Sequence, residues 1–133
     1  MNVTFDADDS KQHILFIDDD ESLIDIGKRN MQKLGFAVSA HICSLNALSA
    51  FQDQPYKYDA IITDLTMPNL NGMELARKIS AIRPEIPIIL CTGDRSAFTD
   101  EQIAACGIEE IVLKPLPMNK WATLLNKIFR SDF

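Results

Sequence analysis

The chain has 133 residues, 47% of them hydrophobic and 24% charged, which fits one compact domain and argues against disorder. Its 13 basic residues are scattered and outnumbered by 19 acidic ones, giving a net charge of -6 that disfavours direct binding to nucleic acid or to an anionic membrane. No apolar stretch approaches the ~20 residues that span a bilayer, and three cysteines without a CxxC pair or secretory signal read as reduced thiols of a soluble, cytoplasmic protein.

Residues 1–12 are polar and acidic apart from Val3 and Phe5 and read as a mobile lead-in, so the domain is expected over 13–130. The run Ile14-Leu15-Phe16-Ile17 predicts a first strand. Ser22 is then expected to cap a helix whose apolar stripe is Leu23, Ile24, Gly27, Met31 and Leu34, and Gly35 to end it. A second strand follows over 36–40, and a second helix over 44–51 carries Leu45, Leu48 and Phe51. Pro55 to Tyr58 reads as a loop, residues 59–63 as a third strand, and Met67 to Gly72 as a turn-rich loop.

A third helix over 73–82 stops before Pro84, and strand four is expected over 87–91. A helix over 99–106 ends at Gly107, strand five covers 109–113, and a last helix over 117–129 buries Trp121, Leu124, Leu125 and Ile128. Five βα units in succession require right-handed crossovers, hence a doubly wound, five-stranded parallel sheet of α/β class, (βα)5, with helices on both faces. The continuous apolar strands suit that burial, and Cys91, inside one of them, reads as a small core residue.

Polar residues close four of the apolar runs: Asp18-Asp19-Asp20 the first, Asp64 the third, Thr92 the fourth and Lys114 the fifth. Parallel strands bring these ends to one edge, where open α/β sheets bind their ligands. Each residue has a plain alternative reading. An acidic run is commonly a solvated loop or helix start, Asp is common in turns, and Thr92 or Lys114 alone is ordinary surface. Their joint placement at separate strand ends is what points to a site. Two carboxylates ~4 Å apart repel by roughly 4 kcal/mol at an effective dielectric of about 20, so either some stay protonated or a cation binds. Oxygen ligands suit Mg²⁺. Thr92 and Lys114 suit the oxygens of a phosphoryl group, and a carboxylate can serve as the nucleophile of phosphoryl transfer.

The segments Ile14 to Glu21, Ile61 to Pro68, Asn71-Gly72, Leu90 to Gly93 and Leu113 to Leu116, in that order, resemble the response regulator receiver domain of two-component signalling across nearly the whole chain. The resemblance implies a flavodoxin-like sheet of order 2-1-3-4-5 and a signalling domain, not an enzyme. It implies that Asp64 accepts a phosphoryl group from a histidine kinase or histidine phosphotransfer protein. Mg²⁺ would be held by Asp18, Asp19, Asp64 and the backbone carbonyl of Thr66. Thr92 would be the switch hydroxyl, Lys114 the phosphoryl contact, and Lys114-Pro115 a cis bond.

The same resemblance implies a possible homodimer through the fourth helix, fifth strand and fifth helix, and an influence of Thr66 and Asp94 on the lifetime of the phosphoryl group. Ile111 stands where the family often has Tyr or Phe, so ring-switch coupling is not expected here. Only Arg130 to Phe133 follow the last helix, and the segment style resembles receivers attached to hybrid sensor kinases, leaving a stand-alone receiver and a domain of a longer protein both open. A haloacid-dehalogenase-type hydrolase fits less well, since Ser22 breaks its first motif and Asp132 is the only acid after Lys114. A flavin or nucleotide module would need a Gly-rich or hydroxyl-rich first loop in place of Asp-Asp-Asp-Glu. An inactive receiver would typically have lost acids or the lysine.

Overall fold

The structure, a computed structural model, describes residues 11–129 apart from Arg95 and Ala97; the expected lead-in therefore lies outside the described residues save for Lys11 and Gln12. The strands are β1 (His13–Ile17), β2 (Ala37–His41), β3 (Ala60–Asp64), β4 (Ile88–Thr92) and β5 (Glu110–Leu113). The helices are α1 (Glu21–Lys33), α2 (Ser44–Asp53), α3 (Gly72–Ile82), α4 (Asp100–Ala105) and α5 (Met118–Phe129). All strand pairs are parallel and the order is β2-β1-β3-β4-β5, as expected.

Strand side chains alternate between faces, so each central strand feeds two cores. Leu15, Ile17, Ile61, Ile88 and Leu90 pack with Ala47 and Phe51 of α2, with Leu75, Ala76 and Ile79 of α3, and with Ile103 of α4. Ile14, Phe16, Ile62, Ile89 and Cys91 face the other way, onto Met31 of α1 and Trp121, Leu124 and Leu125 of α5. This division is why β3 and β4 are buried throughout while the edge strands β2 and β5 are only half-buried. Among the described residues no helix is long and apolar enough to cross a membrane.

Several local expectations shift. Ser22 does not cap α1: Asp20 does, its carboxylate accepting from the N–H groups of Ser22 (2.9 Å) and Leu23 (3.3 Å). A carboxylate there also meets the positive end of the helix dipole. Leu23 and Leu45 are exposed; on α2 it is Ala47 and Phe51, one turn apart, that face the sheet. Gly35 ends α1 as expected, at φ 101°, where the Phe36 N–H reaches the Met31 carbonyl (3.1 Å) and the Gly35 N–H that of Gln32 (3.0 Å).

At α3 the constraint is space. Gly72 donates to the Leu65 carbonyl at 2.7 Å, and a Cβ at Gly72 would run into the Asp64 carbonyl oxygen and meet Leu90 Cδ1 at 2.6 Å. The helix start thus lies against the end of β3, where backbone cannot yield as a side-chain tip can. Gly72→Ala is expected to destabilise the domain by about 2 to 3 kcal/mol, the range of an overpacked core site. Urea unfolding monitored by circular dichroism would measure it, and an unchanged midpoint would contradict the close approach.

Candidate functional site

The four strand ends meet as the register requires. Asp64 is the last residue of β3 and pairs with Cys91, while Thr92 ends β4 and pairs with Leu113. Asp18 directly follows β1, its N–H donating to the His41 carbonyl of β2 (3.2 Å). Lys114 directly follows β5, its backbone N–H donating to the Thr92 carbonyl (2.9 Å). The Lys114-Pro115 bond is cis, as the sequence resemblance implied.

The Lys114 ammonium bridges two carboxylates, donating to Asp18 Oδ2 and to Asp64 Oδ1 at 2.9 Å each. Asp18 and Asp64 are buried, and the second oxygen of Asp18 accepts from the Asp20 N–H at 3.0 Å. Asp19 is exposed, yet one carboxylate oxygen from each of Asp18, Asp19 and Asp64 lies within 4.8 Å of the others. Three carboxylates against one ammonium leave negative charge in excess. An all-oxygen donor set of this kind, partly open to water, fits Mg²⁺, which keeps several waters and takes only one or two carboxylates as direct ligands.

The three adjacent aspartates therefore have three different tasks: Asp18 holds Lys114, Asp19 completes the acidic cluster, and Asp20 caps α1. Burial pushes the Asp64 carboxyl above the usual Asp value, with Asp18 adding to the rise and Lys114 opposing it. Burial alone would lower the Lys114 ammonium, but its hydrogen bonds to Asp18 and Asp64 outweigh that and raise it. Burial drives the Cys91 thiol up to about 12, so this cysteine is an inert core group.

Thr92 stands at the edge but is held by its own loop. Its hydroxyl donates to the Asp94 carbonyl (3.2 Å) and accepts from the Asp94 N–H (3.1 Å). The Asp94 carboxylate turns instead to the N–H (2.9 Å) and hydroxyl (2.6 Å) of Ser96, which hold it below the usual Asp value. Thr66 lies exposed in the loop after β3, two residues beyond Asp64. Ile111 is half-buried in β5, against the core beneath α2, α3 and α4.

Residues 14–126 match the response regulator receiver domain family, and the chain belongs to it. The protein is accordingly a receiver domain of two-component signalling. It is 32% identical over 118 residues to the sensor protein EvgS of Escherichia coli K12, covering 89% of this chain and 10% of that protein. It is 28% identical over 122 residues to the transcriptional regulatory protein QseB of Haemophilus influenzae, covering 90% of this chain and 53% of that protein. The chain thus spans from a tenth to about half the length of these relatives. A response regulator receiver domain protein from Clostridium thermocellum superposes with a TM-score of 0.82 at 27% identity, over 90% of this chain and 94% of that one. The chemotaxis protein CheY4 of Vibrio cholerae shares the fold, with a TM-score of 0.83 at 22% identity over 90% and 99%.

The bridge makes a pH-dependent prediction. Lys114→Met leaves Asp18 and Asp64 facing each other without a cation and is expected to cost about 2 kcal/mol near pH 7, less than a fully buried pair because the Lys114 side chain is 24% exposed. The raised Lys114 value means that its stabilisation is complete below about pH 10.5 and is lost as pH rises through the folded-state value. The raised Asp64 value acts with the same sign in a lower window, as a cost that grows as pH rises above 3.8, so acidification should recover part of the variant's loss. Urea unfolding of both proteins from pH 4 to 11 tests this; a pH-independent gap would refute the bridge.

Proposed function

We propose that Asp64 is the phosphoacceptor of this receiver, taking a phosphoryl group from the phosphohistidine of a histidine kinase or histidine phosphotransfer protein. The observation that carries the reading is the single ammonium of Lys114 shared by Asp64 and Asp18 beside the exposed Asp19. Receiver domains in two-component systems interact with such kinases and phosphotransfer proteins and bind Mg²⁺ at an acidic pocket. Asp18, Asp19, Asp64 and the carbonyl of Thr66 would hold the ion, which neutralises charge on the incoming phosphate when bound.

One Asp64 oxygen attacks phosphorus as the phosphorus–nitrogen bond of the donor breaks, and the departing imidazole nitrogen is protonated from water. Lys114 transfers one of its N–H bonds from the Asp64 carboxylate to a phosphoryl oxygen, keeping the other on Asp18. Thr92 leaves the Asp94 backbone and donates its hydroxyl to another phosphoryl oxygen. The lost Asp94 contacts are then the local event that the rest of the domain reads. The reading includes residues 13–130 as the functional domain, a cytoplasmic location and a homodimer through the α4, β5 and α5 face, where β5 is an edge strand and Leu113 is 50% exposed.

Incubation with acetyl phosphate and Mg²⁺ should add one phosphoryl group by intact-mass measurement, with none on Asp64→Asn and none after EDTA. An unmodified wild type, or modification indifferent to EDTA, would sink the mechanism. Asp94→Ala keeps the backbone groups that hold Thr92 but removes the carboxylate that holds Ser96 in the same loop, so the acyl-phosphate decay rate should change; an unchanged rate in a phosphate-release assay would remove Asp94 from the account.

A further inference from the structure

Ser44 is the first residue of α2 and is 1% exposed, yet its side chain is polar. A buried hydroxyl is costly unless bonded, so its partners show what it is there for. Both are backbone groups of the segment between β3 and α3: the hydroxyl donates to the Pro68 carbonyl at 3.2 Å and accepts from the Leu70 N–H at 3.3 Å. These contacts bridge 24 and 26 residues of sequence, so Ser44 ties the α2 start to the segment that leaves Asp64.

That segment is otherwise fixed mainly at its ends. At one end Leu65 is bound through its N–H to Cys91 and through its carbonyl to Gly72. At the other, Asn71 and Glu74 form a reciprocal capping box at the start of α3, with bonds of 2.9 and 2.8 Å. Between them Met67 is buried and Asn69 takes a left-handed φ of 71°, flanked by the two residues that Ser44 holds. Without the Ser44 hydroxyl, the Pro68 carbonyl and Leu70 N–H lose the partner that sets the path of the chain beyond Thr66.

We infer that Ser44 is a positioning residue for the cation site, fixing the path of the segment that runs from Asp64 through Thr66 to α3. The inference rests on the proposal that the Thr66 carbonyl is a ligand. Supporting hydrogen bonds of this kind commonly set metal affinity by about 10- to 100-fold, and Ser44 acts two residues from the ligand, so the lower end is expected.

The experiment is calorimetric titration of the whole chain with Mg²⁺ alone, on wild type, Asp19→Asn, Ser44→Ala and Ser44→Cys, with amide exchange read at Leu70. Ser44→Ala is expected to weaken Mg²⁺ binding by about tenfold, to lose protection at Leu70, and to slow phosphorylation by acetyl phosphate at low Mg²⁺ with recovery at saturation. Ser44→Cys, which keeps the volume and a weak donor, should fall between the two and carries the comparison if Ser44→Ala does not fold. A lower unfolding midpoint with wild-type Mg²⁺ affinity would make Ser44 merely structural and overturn the inference alone. No Mg²⁺ binding by the wild type, or binding by Asp19→Asn equal to it, would overturn the proposed metal site itself.

Discussion

The two 2.9 Å contacts of Lys114 are the interaction on which the rest of the site depends. Lys114 and Asp18 are 96 residues apart, so no local structure can bring them together. The parallel sheet does it, because the carboxyl ends of all strands lie at one edge and the order β2-β1-β3-β4-β5 places β1 beside β3. Each fully buried strand side chain, such as Ile61 or Leu90, contributes on the order of 2 kcal/mol to the frame. Those side chains sit in two close-packed cores, which is what keeps the carboxylates together against their repulsion.

The backbone of Asp64 and the hydroxyl of Thr92 are held in different ways. Asp64 lies within β3 and its Cα partner is Cys91, so its backbone is fixed from a neighbour. Thr92 also ends a paired strand, but its hydroxyl is committed to Asp94 in the following loop, a bond that is local and replaceable. Farther along that loop, Phe98 packs against the same core as Ile111. Ile111 is β-branched and stiff at χ1, with no ring to turn, so if Thr92 switches as proposed, Phe98 in its own loop is the nearer contact with that core.

Much of this was legible in the sequence because it rests on pattern. Apolar runs marked the strands, Gly35 and Gly107 marked helix ends at positive φ, and the polar residues after four runs marked the edge. The strand ends did not read correctly: β2, β3 and β4 each sit one residue later than the apolar runs suggest. The ladder explains it. Pro87 has no N–H to give, so its carbonyl serves Ile61 while the paired strand starts at Ile88, and pairing continues through Asp64 and Thr92 regardless of their polarity. Among Asp18, Asp19 and Asp20, the resemblance set the first two apart as a metal pair and left Asp20 to the helix start, whereas the hold of Asp18 on Lys114 needed the structure. The capping boxes Asn71-x-x-Glu74 and Thr99-x-x-Gln102 did have a sequence signature, whereas the Ser44 strut, built across 24 residues, had none.

The burial gradient across the acidic cluster gives the site its direction. Asp18 is sealed and already accepts from Lys114 and the Asp20 N–H, so a cation would share it with those partners. Asp64 is less well served: burial raises its carboxyl even though Lys114 opposes the rise. Asp19 faces solvent. A cation held here as proposed would take Asp19 as its exposed carboxylate and Asp64 as the one whose charge burial disfavours. Mg²⁺ keeps several of its waters, and an exposed Asp19 beside two buried carboxylates would leave room for them. The excess negative charge at this edge is thus what a divalent cation, if held here as proposed, would offset.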